Sequence, residues 1–105
     1  MIEDLKARIE AMVQGHRIVL FMKGTPAMPM CGFSAAAVEV LRAAGATDFA
    51  AYDVLSDPEL RDGIKEYSSW PTIPQCYIDG KLAGGSDILR DLFERGELGR
   101  MVAGG

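Results

Sequence analysis

The first fifteen residues carry a helical stripe. Ile2, Leu5, Ile9, Met12 and Val13 recur at intervals of three and four, so the spacing predicts an amphipathic helix over residues 3 to 14 that ends near Gly15. Residues 17 to 22, Arg-Ile-Val-Leu-Phe-Met, then form a short apolar run rich in strand formers. That is the pattern of a central strand covered on both faces. Gly24, Pro26 and Pro29 punctuate a loop. From Gly32 or Phe33 to Ala44 the chain is alanine-rich, with Val38 and Leu41, and reads as a helix stopped by Gly45.

Phe49 to Val54 reads as a second strand. Ser56-Asp57-Pro58-Glu59 announces another helix, either by a capping box from Ser56 or by Asp57 as cap with Pro58 at the first helical position. The two assignments exclude each other. Leu60, Ile64 and Tyr67 line that helix's inner face. Gln75 to Ile78, then Asp79-Gly80, then Lys81 to Gly84 form a hairpin signal, because Asp-Gly suits the positive φ angles of a tight turn. Ser86 or Asp87 caps a last main helix with Ile88, Leu89, Leu92 and Phe93 inward, ending at Gly96 and leaving a short C-terminal tail.

A strand–helix–strand unit favours a right-handed parallel crossover, and the hairpin adds antiparallel strands. The expected fold is therefore α/β, a mixed sheet with helices on both faces, built as one domain over residues 1 to 105. Sites in such sheets gather outside the carboxyl ends of strands, where Lys23 to Cys31 lies. The formal net charge of −4 argues against a general nucleic-acid binder. The start, Met-Ile-Glu-Asp-Leu-Lys, lacks the pattern of a secretory signal. No apolar stretch approaches the roughly 20 residues that span a bilayer. Two cysteines at 31 and 76 do not make a disulfide framework. A reducing, cytoplasmic compartment is expected.

Cys31 is the residue with chemistry. It precedes a helix, where unpaired N–H groups and the positive end of the helix dipole favour a thiolate. Ser34 stands where a two-cysteine redox motif would carry its second thiol. Lys23 ends the first strand; a full charge pair at about 5 Å is worth on the order of 3 kcal/mol at an effective dielectric of about 20. Without the cysteine, Lys23 would read as a solvated surface lysine. Pro74 begins the hairpin, and is either an ordinary turn proline or a cis bond. A cis Ile73–Pro74 bond would turn the Ile73 backbone toward solvent, ready to pair with an extended peptide. Gly84-Gly85-Ser86-Asp87 permits close backbone approach beside a helix start, or is simply a turn with a cap. Cys76, inside a strand, reads as a small hydrophobe.

Four segments in order, Met22-Lys23-Gly24-Thr25-Pro26, Cys31-Gly32-Phe33-Ser34, Trp70-Pro71-Thr72-Ile73-Pro74-Gln75 and Gly84-Gly85-Ser86-Asp87-Ile88, resemble the glutaredoxins. The Cys-Gly-Phe-Ser run marks their monothiol class. The similarity extends from about residue 17 to about residue 98. It implies a thioredoxin-like fold with a four-stranded mixed sheet, a cis bond before Pro74, and a glutathione groove beside Cys31. By matching position, Lys23 and Arg61 would hold the glycyl carboxylate of glutathione, the Ile73 backbone its cysteinyl part, and Ser86 with Asp87 its γ-glutamyl end. Arg61 owes its role to the resemblance alone, since on the helix pattern it is an exposed charge. Many members carry cysteine where this chain has Ser86, so a disulfide from that position to Cys31 cannot form here.

A [2Fe–2S] cluster usually takes four thiolate-type ligands, and one chain supplies too few. Two Cys31 sulfurs and two glutathione thiolates would complete the set. This agrees with what the resemblance implies: a homodimer bridging a labile cluster, which it passes to apo iron–sulfur acceptor proteins, with a BolA-like protein as a further partner. The alternative is a glutathione-dependent thiol–disulfide oxidoreductase working through Cys31 alone. The class resembles cluster carriers more than efficient reductases.

Overall fold

The computed structural model describes residues 2 to 104. Helix α1 (Glu3–Gln14) leads into strand β1 (Ile18–Met22), helix α2 (Gly32–Ala43) and strand β2 (Ala50–Asp53). Helix α3 (Pro58–Ser68), the hairpin strands β3 (Gln75–Ile78) and β4 (Lys81–Gly84), and helices α4 (Ser86–Glu94) and α5 (Glu97–Ala103) follow. The sheet order is β2-β1-β3-β4. β1 runs parallel to β2 and antiparallel to β3, with Leu20 opposite both Ala51 and Cys76. This is the four-stranded mixed sheet of the thioredoxin-like fold.

Every residue of β1 is buried, because the strand is central and its two faces feed separate cores. Ile18, Leu20 and Met22 join Cys76 and Ile78 under α2, α4 and α5, through Val38, Leu41, Leu89 and Leu98. Val19 and Phe21 join Tyr77 on the other face, under Leu5, Ile9 and Val13 of α1 and Leu60 and Ile64 of α3. An alternating strand between helical layers is the arrangement that lets a short strand bury both faces.

The open cap of α3 is decided for Asp57, whose carboxylate accepts the Leu60 N–H at 3.1 Å while Pro58 opens the helix. Ser56 instead donates its hydroxyl to the Asp53 carbonyl at 2.8 Å. That bond, with the Asp53 side chain accepting the Leu55 N–H, turns the chain into a 3₁₀ turn over Val54–Ser56, so β2 is shorter than the expected 49 to 54. The hairpin turn has positive φ at both Asp79 and Gly80, as its sequence demands.

Three expectations need correction. The cap of α4 is Gly85; Ser86 and Asp87 are the first two residues inside the helix. Ile88 and Phe93 are 38% and 40% exposed, because the buried face of α4 is centred on Leu89 with Leu92 beside it, and positions 88 and 93 flank it on opposite sides. The supposed C-terminal tail contains α5, which buries Leu98 and packs Met101 and Val102 on the core. Arg17 holds that helix: its guanidinium donates to the Met101 and Val102 carbonyls at 2.9 and 3.0 Å while pairing with Asp79.

Candidate functional site

Cys31 sits as the N-cap of α2 in extended backbone (φ −156°), at the end of the loop that leaves the carboxyl end of β1. The loop is tied at both ends. Lys23 donates its N–H to the Ser34 hydroxyl at 3.0 Å, and the Met30 N–H donates to the Lys23 carbonyl at 2.9 Å. Gly24 bridges to Pro29 and gives its N–H to the Asp53 carboxylate at 2.9 Å. At φ +86°, a Cβ on Gly24 would lie 2.5 Å from the Met28 carbonyl oxygen and 2.6 Å from the Met30 nitrogen. Only glycine fits this turn, and the turn delivers the cysteine.

The Cys31 thiol lies partly exposed, with its pKa lowered from the ordinary thiol value. The largest cause is the Ser34 N–H in the first turn of α2, although no side-chain cap hydrogen bond is formed. Partial burial opposes the shift; the Phe33 N–H, the Lys23 charge and the Ser34 hydroxyl add smaller contributions in the same direction as the Ser34 N–H. The sulfur is therefore tuned chiefly by helix-end amides, with Lys23 a secondary influence. Cys76 is its opposite. It is fully buried, and desolvation pushes its thiol up to about 12.

A cleft of about 260 Å³ runs beside this corner, lined by Phe33, Trp70, Ile73, Pro74, Ser86 and Asp87 among others. The Ile73–Pro74 bond is cis. Buried Gln75 braces the approach to it, donating its amide to the Trp70 and Thr72 carbonyls at 2.9 and 3.2 Å. Across the cleft, the Gly84-Gly85 corner comes close: a Cβ on Gly85 would stand 3.2 Å from the Pro74 carbonyl oxygen. A second lobe of about 510 Å³ lies between α2 and α4, lined by Cys31, Gly32, Ala36 and Arg90, and shares Phe33, Ser86 and Asp87 with the first.

Ile73 lines the first lobe and Cys31 the second, and Ser86 and Asp87 line both. Lys23 acts on the thiol by its charge. Arg61 is not among the lining residues of either lobe, and its guanidinium lies 3.5 Å from the Asp62 carboxylate. Two lining residues were missed in the sequence. Phe33 is 64% exposed, a large aromatic left in solvent beside the thiol. Arg90 falls four residues after Ser86 and three after Asp87, spacing that places all three on one helix face.

Comparison with known proteins agrees with this geometry. Residues 18–83 match the glutaredoxin family model. A Synechocystis protein named as an uncharacterized monothiol glutaredoxin is 50% identical over 99 residues, covering 94% of this chain and 92% of its own. Mitochondrial monothiol glutaredoxin-5 of Schizosaccharomyces pombe is 53% identical over 96 residues, covering 90% of this chain and 66% of its own. The solution structure of reduced apo GrxS14 from poplar superposes with a TM-score of 0.81 at 46% identity, covering 95% of this chain and 91% of that one. With a lone accessible thiol in a Cys31-Gly32-Phe33-Ser34 run at the head of α2, beside a cis Ile73–Pro74 bond, the chain belongs to the glutaredoxin family, in its monothiol class.

Proposed function

We propose that this chain binds glutathione and carries a labile [2Fe–2S] cluster between two protomers, delivering it to apo iron–sulfur acceptor proteins. The observation that supports this most directly is the inequality of its two sulfurs. Cys31 is accessible with a lowered pKa, whereas Cys76 is buried with a thiol near 12. One chain therefore offers one thiolate, where a cluster of this type needs four thiolate-type ligands. Among the described residues no group of three or more His, Cys, Asp or Glu could hold a metal by itself. The donor set fits the cluster only as a shared load: one Cys31 from each protomer and one thiol from each bound glutathione.

The cleft suits such a borrowed ligand. Its volume is near the roughly 300 Å³ lower end of small-molecule pockets, and the backbone of Ile73, in its wall, is assigned to pair with the cysteinyl part of the tripeptide. Asp87 offers a carboxylate to the γ-glutamyl ammonium, Ser86 a hydroxyl and helix-start N–H groups to its carboxylate. Lys23 and Arg61 are assigned to the glycyl carboxylate; the exposed Arg61–Asp62 pair is of a kind worth about 0–1 kcal/mol and is easily surrendered. Cargo held partly by dissociable ligands is easily released, which suits a carrier, and a BolA-like protein is assigned as a further partner. No helix of the described residues is long and apolar enough to cross a membrane. We assign the protein to a reducing, cytoplasmic setting; the fission-yeast relative is named as mitochondrial.

The lowered thiol pKa also favours a second reading. The Cys31 thiolate would attack the glutathione sulfur of a mixed disulfide and displace the protein thiolate, and a second glutathione thiolate would then release Cys31, giving oxidised glutathione. Anaerobic reconstitution with iron, sulfide and glutathione separates the two. We expect a brown dimer, lost in Cys31→Ser and kept in Cys76→Ser, with slow turnover in a mixed-disulfide assay. A colourless monomer with brisk turnover would reverse the ranking.

A further inference from the structure

The lobe between α2 and α4 is larger than the cleft beside the cis bond and has a different chemistry. Gly32, Ala36 and the Phe33 ring give its lining a small apolar part, and Arg90 lines it as well. Arg8, Arg17, Arg61 and Arg95 each hold a carboxylate; Arg42 and Arg100 hold none among the described residues but do not line this lobe. Arg90 holds none among the described residues, although Asp87 and Glu94 lie three and four positions away on its own helix. Neighbouring Asp91 is engaged by Arg95 at 3.2 Å. Nor does Arg90 serve the thiol: Lys23 is the charge felt at Cys31. An unpaired guanidinium on a cleft wall is a place prepared for an outside carboxylate.

We propose that this lobe holds an acidic residue of the polypeptide that meets Cys31, with Arg90 pairing its carboxylate while glutathione occupies the neighbouring cleft. This rests on the glutathione reading above and adds the partner's chemistry to it: a segment with Asp or Glu close to its reactive cysteine. Arg suits the task because its planar fork takes a carboxylate through two parallel hydrogen bonds. Asp87, on the shared wall, repels a second carboxylate unless the ammonium of glutathione neutralises it. Acidic segments should therefore bind best when the glutathione portion is present.

The test uses two short peptides, each carrying its cysteine as a mixed disulfide with glutathione, one with flanking Glu and one with flanking Gln. Binding to the Cys31→Ser chain, which cannot exchange, is followed by the fluorescence of Trp70 in the cleft wall. Glutathione alone, titrated into the wild-type chain, checks the underlying reading separately. We expect the Glu peptide to bind about 2–5-fold tighter at low salt, with most of the preference screened away by high salt. Arg90→Leu should abolish the preference, and Arg90→Lys should keep part of it. Both changes are at an exposed helix position, and neither should alter the affinity for glutathione alone. Equal binding of the two peptides, or a preference that survives Arg90→Leu, would overturn the proposal. So would an equal loss of glutathione affinity in that variant, which would place Arg90 in the tripeptide cleft. Failure of glutathione itself to bind would instead overturn the reading beneath it.

Discussion

Ser34 occupies the position where a dithiol protein would carry its second cysteine, and the structure gives its hydroxyl a different task. It is fully buried and accepts the Lys23 N–H at 3.0 Å, fastening the end of β1 to the first turn of α2. Ser34→Ala leaves that amide without its partner, and an unpaired buried donor costs about 1–3 kcal/mol. In a domain of this size each kcal/mol lowers Tm by about 4–8 °C, so we expect a fall of at least about 4 °C. The thiol responds in a graded way. The hydroxyl is the smallest of the groups that lower the Cys31 pKa, and the Ser34 N–H, retained in the variant, is the largest. Titration of thiolate absorbance should therefore move upward yet stay below the range of free cysteine. The sign of the linkage adds a check. Folding depresses this pKa, so the thiolate contributes stability above the unfolded thiol's pKa of about 8.5, and that contribution is lost as pH falls through the folded value. The variant's deficit should be greater in alkali than in acid. An unchanged Tm would refute the clamp, and a thiol returned wholly to the free-cysteine range would refute the primacy of the helix amide.

Gly24→Ala should be more damaging than most surface changes. It adds a left-handed strain of about 1–2 kcal/mol and drives a methyl into the Met28 carbonyl; reduced stability with slowed Cys31 alkylation is expected, and full retention of both would show that the loop yields. Native protein should alkylate at Cys31 alone, and unfolded protein at both cysteines, as counted by mass spectrometry. Cys76 also predicts an alkaline slope. Its folded thiol, near 12, lies above the unfolded value of about 8.5, so stability is full below that pH and declines as pH rises toward 12. Cys76→Ala should flatten the slope measured by urea unfolding even while costing core packing; an identical slope in the variant would assign the effect to other groups.

The hydrophobic pattern was sufficient for the strands and main helices, because burial on a known face is a property of spacing along the chain. Val19 and Phe21 had to oppose Ile18, Leu20 and Met22, and an Asp-Gly turn had to close a hairpin. Helix α5 was not legible. Its seven residues include Gly99 and have little intrinsic helicity, and it forms because Leu98 finds a core and Arg17 takes its terminal carbonyls. The competing caps at Ser56 and Asp57 were equal in sequence and were separated only by which oxygen reached which N–H.

The site divides in the same way. Cys31 was legible because a thiol before a helix meets amides supplied by two of its own next three residues, Phe33 and Ser34. The cis Ile73–Pro74 bond, the meeting of that loop with Ser86 and Asp87, and the place of Arg90 depend on segments brought together across the sheet. Sequence alone determined the reactive atom and its strand–loop–helix setting, since both are local. Tertiary structure decided what faces that atom, because a cleft exists only once distant elements have packed.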